Sequence, residues 1–245
     1  MLNIPTLEKL RKLKLYGMTR AFEDQIPSSE IASLSFEERL GLLVDREFTE
    51  RENRRLRSRL RQARLRQQAC MEDIDYQAAR GLDKSLMRSL AACQWVRDHL
   101  NILMTGPTGV GKSFIASALG HRACMEGFRV LSFRIPPLFQ ELGIARGDGR
   151  YGMLTKTIAK AQLLILDDWG LASLSDPEQR DLLEILEDRY ENRSTIIVSQ
   201  IPVDHWHEII GNPTLADAIL DRVVHNAYKI TLKGGSMRKK KSPLT

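Results

Sequence analysis

Residues 106–113 read GPTGVGKS. The stretch matches G-x-x-x-x-G-K-[ST] at every position. It lies between the apolar run NILMTG and a helical pattern over Lys112–Met125, the strand–loop–helix setting the motif requires. Gly106, Gly109 and Gly111 permit torsions and a close approach that a Cβ blocks. With Pro107, Thr108 and Val110 they form a loop whose N–H groups, together with the positive end of the following helix, surround phosphate oxygens. Lys112 is placed to reach the β/γ-phosphates of a nucleoside triphosphate, and Ser113 to offer its hydroxyl to Mg²⁺. ATP and Mg²⁺ are the expected ligands.

A phosphate loop needs a second site for the metal, and LLILDDWG (163–170) supplies one. Its apolar residues make a buried strand, and Asp167 falls at the carboxyl end, beside the loop in this class of sheet. Asp167 is expected to hold Mg²⁺ directly or through water, and Asp168 to orient or deprotonate the attacking water. STIIVSQ (194–200) is a further strand, ending in Ser199 and Gln200. A polar residue at that end either touches the γ-phosphate or the lytic water, or simply caps the strand. Arg222 lies on a short helix past this strand. It serves either as an arginine finger for a neighbouring subunit or as one half of an intrachain salt bridge. One turn back stands Ala218, and the nearest acids, Asp217 and Asp221, point elsewhere on the helix.

Strands at 129–135, 163–168, 194–200 and AYKITL alternate with helices at 138–145, from Asp176-Pro177, and at about 203–210 and 214–224. This order predicts an α/β fold with a mostly parallel sheet flanked by helices. Pro136-Pro137 is expected to close the second strand, Asp176 to cap the following helix, and RGDGRYG to be flexible. The first 95 residues read as helical: an amphipathic helix over 6–26, a long one from the capping box Ser35-Phe36-Glu37-Glu38 to about residue 68, and short ones within 73–92.

The net charge is +6 and unevenly spread. Residues 96–232 carry 14 Lys/Arg against 17 Asp/Glu, residues 1–95 carry 18 against 14, and the last 13 carry five bases and no acid. Basic ends around an acidic middle point to a polyanionic partner. No run of 18 apolar residues occurs, so no membrane span is expected. The N-terminus lacks a secretory pattern, and three scattered cysteines, Cys70, Cys93 and Cys124, fit a reduced, cytoplasmic protein.

Taken together, GPTGVGKS, LLILDDWG, SQIP and LADAILDRVVHNAY, with LYGMTRAFEDQ and LSFEERLGLLVDRE near the N-terminus, resemble the IstB-type transposition helper ATPases. These are AAA+ proteins related to DnaC-type helicase loaders. The resemblance covers nearly the whole chain. It implies a P-loop AAA+ (ASCE-type) sheet preceded by an all-α N-terminal domain. The implied segments are a helical oligomerisation and DNA-binding domain (1–70), a connector (71–95), an ATPase domain (96–232) and a basic tail (233–245) expected to be mobile.

The implied protein hydrolyses ATP, assembles head-to-tail on duplex DNA without sequence preference, and stimulates a partner transposase. By position, Lys112 and Ser113 belong to the nucleotide loop, Asp167 and Asp168 are the metal and hydrolysis pair, Ser199 is the strand-end sensor and Arg222 the intersubunit arginine. Two departures matter. The second acid is Asp168 where the superfamily carries Glu, one methylene longer. The helical lid is reduced or absent, because few residues follow the last strand.

Residues 51–66 hold eight arginines and one acid, Glu52. The arginines fall all round a helix and carry no aromatics at stacking intervals, which disfavours a single-strand platform. Duplex backbone contacts are expected from a subset of Arg54, Arg55, Arg57, Arg59, Arg61 and Arg64. A helicase loader with the same ATPase and a small-molecule P-loop kinase are the competing readings. The kinase leaves the basic helices unexplained.

Overall fold

The computed structural model describes residues 3–28, 31 and 33–237. The chain divides into two compact units, Met1–Ser58 and Arg59–Thr245. The sequence reading places residues 59–70 with the N-terminal helices; here they pack within the second unit. Residues 238–245, most of the basic tail, lie outside the described residues.

The first unit holds α1 (Asn3–Lys12), α2 (Tyr16–Gln25) and most of α3 (Phe36–Ala63). The single helix expected over 6–26 is broken at Lys14, whose φ is 57°. There the Leu15 N–H bonds back to Leu10 C=O and the Lys14 N–H to Arg11 C=O, both at 2.9 Å, a helix stop that satisfies the last carbonyls. Gly17 then lets α2 approach α3, since a Cβ there would stand 2.6 Å from Glu47 Cα. The Glu47 carboxylate accepts from the N–H groups of Gly17 (2.7 Å) and Met18 (3.1 Å) and from Arg51 Nε (2.6 Å). The capping box at the start of α3 forms as expected, with Ser35 N–H to Glu38 at 2.8 Å and Glu38 N–H to Ser35 Oγ at 3.2 Å. The helix stops at Ala63 rather than near residue 68, because Arg64 turns to φ 52°.

Glu47 makes this unit acid-sensitive. Burial alone raises its pKa, but the Arg51 ion pair and the two N–H donors outweigh burial and hold it below 4.5. A carboxyl lowered on folding stabilises above its unfolded pKa and ceases to do so as pH falls through the folded one. The protection of the Gly17 and Met18 amides, relative to the intrinsic exchange rate at each pH, is therefore expected to fall as the full chain is acidified below the ordinary carboxylate range. Glu47→Gln should remove that acid step; an identical step in the variant would count against this role.

After the end of α3, the second unit continues with a single turn at Met71–Asp73, then α4 (Lys84–Ala91), capped by Asp83, and α5 (Gln94–Arg97). Of 73–92, only 84–91 is α-helix. The sheet is built from β1 (Asn101–Thr105), β2 (Val130–Arg134), β3 (Leu163–Trp169), β4 (Ser194–Ser199) and β5 (Ala227–Thr231). Among the described residues these five strands are parallel, in the order β2-β3-β4-β1-β5. Both faces are covered, so the inner strands read as unbroken apolar runs. α6 (Lys112–Met125) covers one face, where a Cβ on Gly120 would stand 2.8 Å from Ile165. On the other, Leu103, Leu164, Leu166 and Ile197 join a core with residues of α7 (Ile135–Gly147), α9 (Asp176–Glu187) and α11 (Pro213–Val224).

Four local expectations are revised. Pro136-Pro137 does not merely end β2; the pair sits in the first turn of α7, where a missing N–H costs nothing. Directly after RGDGR the chain forms α8 (Tyr151–Ala159), which the sequence reading did not anticipate. The cap of α9 is Ser175, in a reciprocal box with Glu178, and Asp176 is already helical. The expected helix at 203–210 is a single turn followed by α10 (Trp206–Ile210).

Arg189, at the end of β3 and β4 opposite the phosphate loop, is 1% exposed. It donates to the carbonyls of Ile158 (2.9 Å), Ala161 (2.7 Å) and Ser194 (2.5 Å) and to Thr195 Oγ1 (3.2 Å). Burial pushes its pKa down to about 9, so it stays charged at neutral pH.

Candidate nucleotide site

β1 ends at Thr105 and the phosphate loop follows. Gly106 has φ 141°, and a Cβ there would lie 2.2 Å from Leu232 C=O. The loop therefore rests on the residue after β5, and only glycine fits. Gly111, φ 100°, is the N-cap of α6, so Lys112 and Ser113 open the helix where backbone N–H groups lack intrahelical acceptors. Lys112 is 7% exposed, and its ammonium donates to Gly106 C=O (2.6 Å) and Pro107 C=O (2.9 Å). Burial lowers its pKa, against the opposing pull of Asp167 and Asp168.

The acid pair sits on an irregularity. β3 and β4 pair in register up to Leu166–Ile197 and resume at Trp169–Ser199, and Asp168 has φ 62°. Such a bulge re-aims side chains at a strand end, and Asp tolerates the left-handed region better than most residues. Asp167 is 4% exposed, and its Oδ1 accepts the Asp168 N–H at 2.8 Å.

Lys112, Ser113, Gly109, Gly111, Thr108, Asp167, Asp168 and Ser199 line one cavity of about 540 Å³. The donor set suits Mg²⁺, which takes one or two protein oxygens and completes its shell with phosphate and water. Ser113 and Asp167 offer two such oxygens. Among the described residues no three His, Cys, Asp or Glu side chains group as a metal cage.

Ser199 is 1% exposed; its hydroxyl donates to Trp169 C=O (2.9 Å) and accepts from Ile201 N–H (3.0 Å). β4 lies between β1 and β3, and Ser199 both caps the strand and lines the cavity. Its neighbour Gln200 accepts from Thr108 Oγ1 at 2.5 Å, tying strand end to phosphate loop.

Arg222 does not line this cavity. Its carbonyl accepts from Asn101 Nδ2 at 3.3 Å, which puts it at the opposite end of β1. Acids do reach Arg222, contrary to expectation: it pairs with Glu187, 35 residues away, and lies 3.4 Å from Asp221 on its own helix.

Three arginines at the site escaped the sequence reading. Arg66 Nη1 donates to Asp167 Oδ2 at 2.7 Å and to both Asp168 oxygens at 3.2 Å. The Asp167 bond raises its pKa despite partial burial. Arg134 Nε donates to Asp168 Oδ2 at 2.7 Å; parallel pairing of β2 with β3, which sets Arg134 opposite Asp167, is the signal that could have found it. Arg80 is 5% exposed and supports the loop from below through Val110 C=O (2.9 Å), while its other terminal nitrogen donates to Asp75 C=O (2.7 Å).

The segment after β5 also returns to the loop. Lys233 N–H bonds to Arg80 C=O at 2.9 Å and Met237 N–H to Gly109 C=O at 2.8 Å. The expected mobile tail is thus held in place through residue 237.

Of the arginine run, Arg54, Arg55, Arg57, Arg61 and Arg64 are exposed. Arg54 stacks over Tyr16 (5.3 Å), Arg55 pairs with Glu52 (2.5 Å), and Arg64 lies 3.9 Å from Glu141. Arg59 donates to Cys124 C=O at 2.8 Å, at the end of α6, and is committed to that contact.

A family model described as IstB-like ATP binding protein matches residues 8–245. The chain is 55% identical over 239 residues to an insertion sequence ATP-binding protein of Sinorhizobium fredii, covering 98% of each. It is 32% identical over 231 residues to the insertion sequence IS21 ATP-binding protein of Pseudomonas aeruginosa, covering 94% of this chain and 87% of that one. Among solved structures, DnaI superimposes with a TM-score of 0.57 (22% identity, 72% of this chain and 93% of that one). The DnaC helicase loader does so with a TM-score of 0.54 (22% identity, 67% and 97%).

Proposed function

Since the chain belongs to the IstB-like ATP binding protein family and has the AAA+ fold, we propose that it is a Mg²⁺-dependent ATPase that assembles on duplex DNA and stimulates a partner transposase. The observation that carries the reading is the single cavity uniting Lys112 and Ser113 with Asp167 and Asp168. Lys112 neutralises the β/γ-phosphates, Ser113 and Asp167 hold the metal, and Asp168 orients the attacking water. Bound Mg²⁺ neutralises charge that develops between the β- and γ-phosphates. Asp168 is shorter than Glu and already engaged by two arginines, which fits slow hydrolysis that a partner or DNA accelerates. Gln200, bonded to Thr108, and Ser199 report the state of the phosphate loop.

Arg222 stands at the far end of β1 from its own phosphate loop. As a finger it acts only on a neighbour's nucleotide, and that contact repeats head-to-tail into a ring or filament. An array multiplies weak phosphate contacts by exposed arginines such as Arg57 and Arg61. Among the described residues no helix is long and apolar enough to cross a membrane.

The test is sedimentation and gel shift on random-sequence duplex DNA with ATP, ADP or no nucleotide, across a salt series. Assembly is expected with ATP only, with affinity falling steeply as salt rises, about tenfold or more between 50 and 200 mM. Binding indifferent to both nucleotide and salt would sink the proposal. Adding the protein with ATP to its transposase should raise strand transfer; no rise would remove the helper role.

A further inference from the structure

The acid pair carries two cations of unequal meaning. Arg134 Nε reaches Asp168. Arg66 reaches Asp167 as well, and does so more closely, at 2.7 Å against 3.2 Å for Asp168. Asp167 Oδ1 is already taken by the Asp168 N–H. Oδ2, the oxygen left for a metal, is the one Arg66 holds. A divalent cation held by that oxygen would face the Arg66 guanidinium across one carboxylate, on a residue that is itself 4% exposed. Like charges so placed cannot share the oxygen without a large penalty.

The surroundings let Arg66 leave alone. Its side chain is 35% exposed, whereas Ala69 nearby is 2% exposed and Leu65 packs where a Cβ on Gly120 would meet it at 2.8 Å. The backbone is pinned on α6, and a rotamer change suffices to free the guanidinium.

We propose that Arg66 is a metal-displaced latch, a positioning residue that holds Asp167 and Asp168 while the site lacks a divalent cation and gives up Asp167 Oδ2 when one binds with the nucleotide. This rests on the nucleotide reading of the cavity. Arg66 is also the last arginine of the run, three residues past the end of α3 at Ala63.

The test uses the full chain and a fluorescent ADP analogue at fixed concentration, titrated with Mg²⁺. Arg66→Ala is expected to lower the half-saturating Mg²⁺ concentration about tenfold relative to wild type, with Arg66→Lys in between. Arg134→Ala, which frees Asp168 but not Asp167, is expected to shift it less than threefold. A midpoint unmoved in Arg66→Ala, or raised, overturns the latch. An equal fall in Arg134→Ala also overturns it, since the effect is then only the charge of the neighbourhood. Thermal unfolding of each variant checks the fold, and Arg66→Lys carries the test if the alanine variant does not fold. Wild-type protein that binds no analogue at any Mg²⁺ concentration overturns the nucleotide reading itself; wild-type binding with unmoved midpoints overturns the latch alone.

Discussion

Lys112→Ala loses ATP binding, with affinity expected to fall roughly 10²–10³-fold, or about 3–4 kcal/mol. The ammonium is 7% exposed and lies between Gly106 C=O and Pro107 C=O. Truncation removes the cation that faces the phosphates and leaves two loop carbonyls without their donor. It also leaves only arginines, two of them already paired with Asp167 and Asp168, to offset the repulsion between the acid pair and an incoming polyanion. Lys112→Arg fails for a different reason. A planar fork with five fixed donors does not fit where one tetrahedral ammonium bridges carbonyls one residue apart. Isothermal titration with ATP and Mg²⁺ measures both variants, and ATP-dependent sedimentation on DNA should vanish with the binding. An affinity within threefold of wild type in Lys112→Ala would contradict the role assigned to the loop.

The largest effect on stability is expected at Arg189. Arg189→Met keeps the apolar stem and removes the guanidinium that serves the carbonyls of Ile158, Ala161 and Ser194. Buried acceptors left without donors cost about 1–3 kcal/mol each. Relief of the buried charge offsets part of this, leaving a loss of about 3–5 kcal/mol. For a unit of this size that lowers Tm by roughly 10 °C. Urea unfolding should show a lower midpoint with an unchanged slope. A loss below about 1 kcal/mol would mean that water replaces the donor at no cost.

Much of the site was legible because its signals are local. GPTGVGKS names its own phosphate contacts, and LLILDD announces a buried strand with acids at its end. The parallel sheet followed from strands alternating with helices. What escaped depends on partners distant in sequence. Arg66 meets Asp167 across 101 residues, Arg80 and Arg189 bond mostly to backbone carbonyls that carry no residue code, and Arg222 finds Glu187 rather than an acid on its own helix. Other misses were ambiguities of local chemistry. Pro136-Pro137 is equally good punctuation for a strand end and a helix start, and Ser175 and Asp176 compete as caps until Glu178 reaches back to Ser175. α1 and α2 share one apolar period, so nothing in that period marks the left-handed Lys14 between them.

The segment after β5 backs the phosphate loop. Gly106 rests on Leu232, Met237 N–H bonds to Gly109 C=O, and β1 has β5 as one of its two neighbours. A chain lacking its final strand keeps the Arg80 and Gln200 contacts of the loop but loses the Leu232 and Met237 ones. A chain truncated before β5 is therefore expected to lose this backing and, on the nucleotide reading of the site, to bind ATP more weakly.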